Sequence, residues 1–100
     1  MHCLTVIYPR PDDEAAFKSY YEQHHVPLAG RLPGLKKMHF AFPEAVSPGD
    51  VFCIFQGYFE DGAAMGAAMG SDIGKQVAAD VPNYSPKGAV LCNFPVDAAQ

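Results

Sequence analysis

The segment VFCIFQGYF, residues 51–59, restricts the fold more than any other part of the chain. It is short and rich in aromatic and β-branched residues, which is typical of a β-strand. Alternate side chains of a strand point to opposite faces of a sheet, and both sets are apolar here: Phe52, Ile54 and Tyr58 on one face, Val51, Cys53, Phe55 and Phe59 on the other. A sheet with one face in water shows polar residues at alternate positions. We therefore expect helices of the same chain to cover one face and a second copy of the chain to cover the other.

Three more strands and two helical regions are predicted from the remaining sequence. The strands are expected at residues 2–8 (HCLTVIY), 35–42 (LKKMHFAF) and 89–94 (AVLCNF). One helix is expected over 12–25, which opens on acidic residues, and a second helical region from Asp61 to about Val81. The order β-α-β-β-α-β predicts an α+β, ferredoxin-like fold with both helices on one face of a four-stranded antiparallel sheet. The chain is expected to form one domain, 1–100.

The second helical region is rich in glycine, with glycines at positions 62, 66, 70 and 74. Each glycine destabilises a helix by roughly 1 kcal/mol relative to alanine, so we expect close approach to the sheet to compensate. Ser71 followed by Asp72 is typical of a helix N-cap. This pair predicts a break near Gly70 and two short helices.

Composition and charge exclude several classes of partner. The net charge is −4 and the only adjacent basic pair is Lys36–Lys37, so nucleic acid is not expected. No stretch reaches the roughly 18 apolar residues of a membrane span and no charged leader precedes an apolar run, which indicates a cytoplasmic protein. Cys3, Cys53 and Cys92 lie singly in apolar runs and are expected to be buried, reduced thiols. The hydrophobic fraction of 49% in so short a chain indicates an oligomer.

Two adjacent histidines stand where the first helix meets a proline. Pro27 cannot donate a helical hydrogen bond, so the helix is expected to end or kink near His24 and His25. Helical phase from Phe17 and Tyr21 selects His24 for the apolar stripe. One histidine could cap the helix end while the other is half exposed, or one could transfer protons beside an apolar cavity. Metal binding is the weaker alternative, because adjacent histidines do not share a helix face and no cysteine or carboxylate cluster supplies further ligands.

Two segments of the chain together resemble the EthD family of dimeric α/β-barrel proteins. FKSYYEQHHVPLAGRLPGL carries the pattern Y-x-x-x-H-x-P-L, and GSDIGKQVAADVPNY carries the late pattern A-A-D-x-P-N-aromatic. The resemblance covers essentially the whole chain and implies a homodimer, small-molecule work and no bound cofactor. The family is named for ethyl tert-butyl ether degradation and is similar to methylmuconolactone isomerases and polyketide cyclases. The match places the family's histidine at His25, and its late acid and amide at Asp80 and Asn83.

These residues form the candidate site. The predicted catalytic pair is His25 and Asp80, in which the carboxylate would orient the imidazole and stabilise its cation. Asp80 could instead be a surface acid near a helix end, and Asn83, which follows a proline, is more typical of a turn. Six further side chains are expected to contact a substrate beside Asn83, although most of the aromatic ones must also serve as core: Tyr8, His24, Phe40, Phe42, Tyr58 and Tyr84.

Two functions from different classes fit this sequence. The first is a cofactor-independent enzyme of isomerase, lyase or cyclase type, in which His25 and Asp80 move a proton on a small apolar or oxygenated compound. The second is a dimeric binding or accessory protein that holds such a compound unchanged. In both, two sheets closing face to face would form a barrel-like homodimer whose interior holds the molecule.

Overall fold

The computed structural model of the chain describes residues 1–97 and places four strands in one antiparallel sheet. The strands are β1 (His2–Tyr8), β2 (Lys37–Ala41), β3 (Cys53–Phe59) and β4 (Val90–Pro95). Their order across the sheet is β2-β3-β1-β4, which confirms the ferredoxin-like topology. β1 has the predicted bounds, and the other strands differ from prediction by one or two residues at their ends.

The helical regions are divided into shorter pieces that lie on one face of the sheet. These pieces are α1 (Glu14–Tyr20), a π-helical turn (Tyr21–His25), α2 (Val26–Ala29), α3 (Gly62–Gly70) and α4 (Asp72–Tyr84). The side chains of Asp13, Asp61 and Ser71 accept backbone hydrogen bonds and cap α1, α3 and α4. The predicted break at Ser71 is therefore confirmed. Within residues 1–97, no helix has the length and apolarity needed to span a membrane.

The first helical region changes its winding at the histidines. In the π turn the N–H of Val26 donates to the carbonyl of Tyr21, five residues earlier. Pro27 then lies in the first turn of α2, a position at which proline is well tolerated. The helix thus changes character at the predicted place but continues to Ala29.

The helix α4 runs to Tyr84, three residues past the predicted end at Val81. Pro82 lies inside its last turn, where it removes only one helical hydrogen bond. Asn83 is therefore helical, and the expectation that it belongs to a turn is wrong.

The glycines of α3 and α4 do not share one purpose. A Cβ at Gly74 would overlap the carbonyl oxygens of Ala68 and Met69, so glycine lets α4 begin directly against the end of α3. A Cβ at Gly66 or Gly70 would meet no atom within 4 Å. The expectation that the sheet requires these glycines is wrong, because the one close approach is to the backbone of α3.

The face of the sheet beneath the helices forms the core. Its buried strand residues are Leu4, Val6, Tyr8, Cys53, Phe55 and Phe59, and they pack with Phe17, Tyr21 and Val77 from the helices. All three cysteines are free, but Cys92 is exposed, so the expectation of three buried thiols is wrong for that residue. It lies on β4, whose residues are all exposed because no helix covers this edge of the sheet.

The opposite side of the sheet, here named the open face, packs against none of the helices. Strand register places these residues on it: Lys37, His39, Ala41, Ile54, Gln56, Tyr58, Cys3, Thr5, Ile7, Val90, Cys92 and Phe94. Val90 is 63% exposed and Phe94 39% exposed. Phe52, expected on this face with Ile54, lies instead beside Phe17 with ring centroids 5.0 Å apart, since β3 begins only at Cys53.

Candidate functional site

A histidine and a carboxylate meet between the π turn and α4. Nδ1 of His25 lies 2.9 Å from Oδ2 of Asp80, and the two side chains are 5% and 13% exposed. The π turn supplies the histidine and the third turn of α4 supplies the acid. The structure thus brings together the two residues that the sequence motifs select, although 55 positions separate them.

The carboxylate of Asp80 is held from three sides. Its Oδ1 accepts a hydrogen bond from the Tyr20 hydroxyl at 2.6 Å and another from Nδ2 of Asn83 at 3.0 Å. Burial alone would raise the pKa of Asp80, but the hydrogen bonds from Tyr20, Asn83 and His25 outweigh burial and hold the pKa below its usual value. Asp80 is therefore ionised at neutral pH and accepts hydrogen bonds at both oxygens.

An ionised partner fixes the tautomer of His25. Because Asp80 can only accept, the proton of the neutral imidazole lies on Nδ1 and the lone pair lies on Nε2. Burial lowers the pKa of His25 below its usual 6.5, and the hydrogen bond and charge of Asp80 offset part of this effect. The neutral ring is thus the resting form at pH 7, with Nε2 able to take a proton.

The free nitrogen of His25 is not sealed inside the protein. Within residues 1–97, the buried side-chain polar atom that lacks a hydrogen-bond partner is the hydroxyl of Tyr21. Nε2 of His25 bonds to none of these residues either, so it must keep some accessible surface. The ring itself packs between Tyr21 and Tyr84, at centroid distances of 5.5 and 4.6 Å. The aromatic rings hold the imidazole in place and leave one edge open.

His25 also borders a small apolar cavity, named here the inner cavity, between the helices and the sheet. It has a volume of about 50 Å³, and its wall includes Tyr8, His25, Met69, Val81 and Leu91. An engineered apolar cavity that binds benzene measures about 150 Å³, so the inner cavity as it stands holds only a group of a few atoms. Burial raises the pKa of Tyr8 to about 12, so its hydroxyl stays protonated.

A larger depression, the outer cleft, lies at the other side of Tyr84. It has a volume of about 250 Å³ and is bordered by Phe17, Asn83, Tyr84 and Lys87. The hydroxyls of Tyr84 and Tyr8 lie 2.7 Å apart, so this pair links the outer cleft to the inner cavity. The structure therefore places two concave sites on either side of one buried tyrosine pair.

The inner cavity differs in place from the ligand chamber predicted between the sheets of two chains, which stays a prediction. The inner cavity lies inside one chain, on the face of the sheet that the helices cover. The open face is on the opposite side. Tyr58, predicted as a substrate contact, is on the open face and is not brought to His25.

Of the other predicted substrate contacts, some lie at the site and some lie away from it. Tyr8 and Tyr84 lie at the site, and Asn83 reaches it through Asp80. Phe40 and Phe42 lie behind Tyr21, with ring centroids 5.5 and 6.5 Å from it, and border neither cavity.

His24 is exposed, and its ring centroid lies 4.8 Å from that of Tyr20. The π turn explains this placement, because its slower winding keeps His25, four residues after Tyr21, over the same face. Helical phase alone therefore selected the wrong histidine for burial.

Sequence reasoning missed Tyr20 and Met69. Tyr20 stands beside the motif tyrosine, Tyr21, yet its hydroxyl binds Asp80, and nothing in the local pattern identifies a partner 60 residues away.

Within residues 1–97, no three histidine, cysteine or acidic side chains cluster closely enough to hold a metal ion.

Comparison with known proteins agrees with the sequence motifs. The EthD domain model matches residues 10–87. An uncharacterised 11.0 kDa protein from the thcB-thcC intergenic region of Rhodococcus erythropolis is 33% identical over 93 residues, which cover 91% of this chain and 90% of that protein. The crystal structure of an ethyl tert-butyl ether (EthD) family protein from Bacillus halodurans is 26% identical, with a TM-score of 0.89 over 97% of this chain and 99% of that chain.

More distant structures share the fold. A dimeric ferredoxin-like protein of unknown function from Thermobifida fusca is 10% identical, with a TM-score of 0.72 over 95% of this chain and 89% of its own. SnoaB, a cofactor-independent oxygenase from Streptomyces nogalater, is 13% identical, with a TM-score of 0.66 over 98% of this chain and 93% of its own. These two likenesses establish fold alone. The domain match and the identity to the R. erythropolis protein go further, and together they show that the chain belongs to the EthD family.

Proposed function

We propose that this protein is a homodimeric, cofactor-independent enzyme in which His25 moves a proton on a small apolar or oxygenated compound. The observation that carries the proposal is the His25–Asp80 pair at 2.9 Å, in which the imidazole belongs to a residue that borders the inner cavity. A buried histidine that a carboxylate orients is suited to general acid and base work near neutral pH. The reaction would be of isomerase, lyase or cyclase type.

The chain's own groups suffice for one proton transfer and its reversal. Neutral His25 accepts a proton at Nε2, and the resulting imidazolium donates from Nδ1 to Asp80. Asp80 remains ionised because Tyr20 and Asn83 hold its other oxygen. The same imidazolium then returns the proton to a different atom of the substrate, which completes an isomerisation or a ring closure.

The surroundings of His25 favour a substrate with an apolar body and one or two oxygens. The wall of the inner cavity is mostly aliphatic, and it includes Tyr8, whose protonated hydroxyl would orient an oxygen if its hydrogen bond with Tyr84 is donated by Tyr84. The cavity admits more than a few atoms only if a side chain yields, and Met69 is unbranched and adapts its shape easily. We expect the body of a larger substrate to extend from the inner cavity toward solvent past Met69.

A cytoplasmic, dimeric setting fits this proposal. All three cysteines are free thiols, which suits a reducing compartment. Dimeric ferredoxin-like proteins are among the structures that share the fold, and the open face offers an apolar surface for a second copy.

The alternative is a dimeric binding or accessory protein for the same kind of compound. The observation in its favour is the largely apolar wall of the inner cavity, which can hold a molecule without reacting with it. In that case His25 would contribute little, and truncating the apolar wall at Met69 would reduce binding most.

Hydrogen exchange on a carbon acid separates the two functions. Small cyclic ketones such as cyclohexanone would be incubated with the protein in D₂O, and loss of the α protons followed by NMR. We expect the wild-type protein to accelerate exchange above buffer, and His25→Gln to remove most of this, in line with the 10²–10⁴-fold roughly expected of a general base. His2→Gln is the matched control, because His2 bonds to Asn93 and borders neither cavity. Equal exchange by wild type and His25→Gln would contradict the catalytic role.

A further inference from the structure

A row of polar side chains crosses the middle of the open face. Strand register places His39 opposite Gln56, Gln56 opposite Thr5, and Thr5 opposite Cys92. Paired residues of neighbouring strands point to the same side of a sheet, so the four side chains form one line across all four strands. We name this line the polar row.

The polar row is flanked by rows that are mostly apolar. On one side lie Ala41, Ile54, Ile7 and Val90, and on the other Lys37, Tyr58, Cys3 and Phe94. Val90 and Phe94 keep 63% and 39% of their surface exposed in the single chain. Such a face is expected to be covered, and the polar row would then be buried in the middle of the contact.

Hydrogen bonds connect three of the four side chains in the row. Nε2–H of His39 donates to Oε1 of Gln56 at 2.8 Å, since an amide oxygen can only accept. Nε2 of Gln56 donates to Oγ1 of Thr5 at 3.3 Å, and Oγ1 lies 3.4 Å from Sγ of Cys3. The amide of Gln56 is thus held from both sides.

These hydrogen bonds leave Gln56 with unused groups that can pair with the same groups of a second copy. An amide has two N–H donors and two acceptor lone pairs, and Gln56 has used one of each within the sheet. One donor and one acceptor remain, which is the set needed to bond to a second copy of the same amide. Neutral His39 likewise retains an acceptor at Nδ1. A two-fold axis presents each patch to its own copy, so these groups can satisfy one another.

We propose that the polar rows of two subunits face each other in the homodimer and fix the single register in which the open faces dock. The inference rests on the homodimer of the proposed function and goes beyond it. The second copy is the occupant that the structure favours, because the leftover groups of Gln56 match themselves and the fold is shared with a dimeric protein.

One polar row is enough to fix the docking register, because a shifted register costs free energy. An apolar face slides over another at little cost, because apolar contacts lack direction. A slide of one row would press the unused donor and acceptor of Gln56 in each subunit against the apolar rows of its partner. Each buried polar group left without a partner costs about 1–3 kcal/mol, and the two-fold axis doubles that cost. Only the register that joins the two polar rows avoids the penalty.

The test replaces the polar row with apolar residues of similar shape. Gln56→Leu and Thr5→Val would each be compared with wild type by sedimentation and by ¹⁵N–¹H NMR of the dimer. We expect wild type to give one peak for each amide, and the variants to remain dimers within about tenfold of the wild-type affinity, with more than one set of peaks for the strand amides. The matched control is Gln76→Leu, an exposed position on α4 that borders neither cavity.

The outcomes separate this inference from the function on which it rests. A single set of peaks with wild-type affinity in both row variants would overturn it, because the dimer would then have kept its register without the row. Loss of the dimer with an intact fold would also overturn it, because the row would then supply affinity and not register. A wild-type chain that sediments as a monomer would also overturn it, whereas the exchange assay on His25 would still decide the catalytic proposal.

Discussion

The two faces of the sheet are both apolar, but they are built for different purposes. On the helix face, β3 buries Phe55 and Phe59 almost completely in the chain's own core. On the open face, the same strand presents Ile54 and Tyr58 with part of their surface still accessible. The site with His25 belongs to the first face and the polar row to the second. A strand that is apolar on both sides has two surfaces to cover, and the inner cavity lies on the side that the chain's own helices cover.

The largest effect should come from deleting adjacent aromatic rings on the two faces. Phe59→Ala removes a side chain that is 0% exposed and should lower the free energy of unfolding by about 3–5 kcal/mol. Tyr58→Ala removes a half-buried ring and should cost roughly 1 kcal/mol in the monomer. Urea unfolding at several protein concentrations measures both. The Tyr58 variant should also lose any dependence of its midpoint on concentration, since the open face would no longer dimerise tightly.

If Phe59→Ala and Tyr58→Ala lower the free energy of unfolding equally at low protein concentration, the two faces do not differ in the way described above. The open face would then contribute to the monomer as much as the core does, and no second copy would be needed to explain its composition.

Removing one partner of a hydrogen bond should also lower the free energy of unfolding differently on the two faces, but the difference should be smaller. Asp80→Ala leaves Nδ1–H of His25 buried without an acceptor and should cost about 1–3 kcal/mol. His39→Ala removes an exposed hydrogen bond to Gln56 and should change the stability of the monomer by less than about 0.5 kcal/mol. Denaturation at a concentration that keeps the chain monomeric compares the two. An effect of His39→Ala as large as that of Asp80→Ala would show that the open face is already structured as a core.

The sequence was sufficient for the fold, because strand alternation and turn residues are local signals. The strand at 2–8 was predicted without error, and the composition of 51–59 indicated that both faces are covered. The same alternation could not say on which side a cavity lies. It groups residues by face, but the cavity depends on how the helices, Met69 and Leu91 leave space above the sheet. The sequence therefore predicted a chamber between two chains and did not predict the inner cavity within one chain.

The site was harder to predict than the fold for a specific physical reason. Periodicity assumes one winding along a helix, and the π turn changes that winding at the histidines. His25 was selected by its resemblance to the family's motif, and Asp80 likewise. Tyr20 was missed because its role depends on a contact with α4 that no local pattern encodes.

The pH dependence of the free energy of unfolding tests whether His25 is buried in its neutral form. The pKa of His25 is lower in the folded chain than the usual 6.5, so the unfolded chain binds more protons as the pH falls below that value. The stability that neutral His25 contributes is fully present above about pH 6.5 and is lost on acidification toward the folded pKa. For one group the slope cannot exceed about 1.4 kcal/mol per pH unit.

Urea unfolding of wild type and His25→Gln between pH 8 and pH 5 isolates this contribution. We expect the wild-type curve to fall more steeply with acid than that of the variant. Parallel curves would mean that folding does not lower the pKa of His25, and the proposed burial of a neutral base would lose its support.

The smallest effect on folding is expected at the edge of the open face. Val90→Thr keeps the β-branched shape at a position that is 63% exposed, so the stability of the monomer should change by less than about 0.5 kcal/mol. In the dimer the new hydroxyl would be buried without a partner in both subunits, which should weaken association about tenfold or more. Val46→Thr is the matched control, because Val46 is exposed outside the sheet and its substitution should leave association unchanged. If sedimentation shows the same dimer for both variants, the exposed residues of β4 lie outside the contact, and the open face is covered only at its centre.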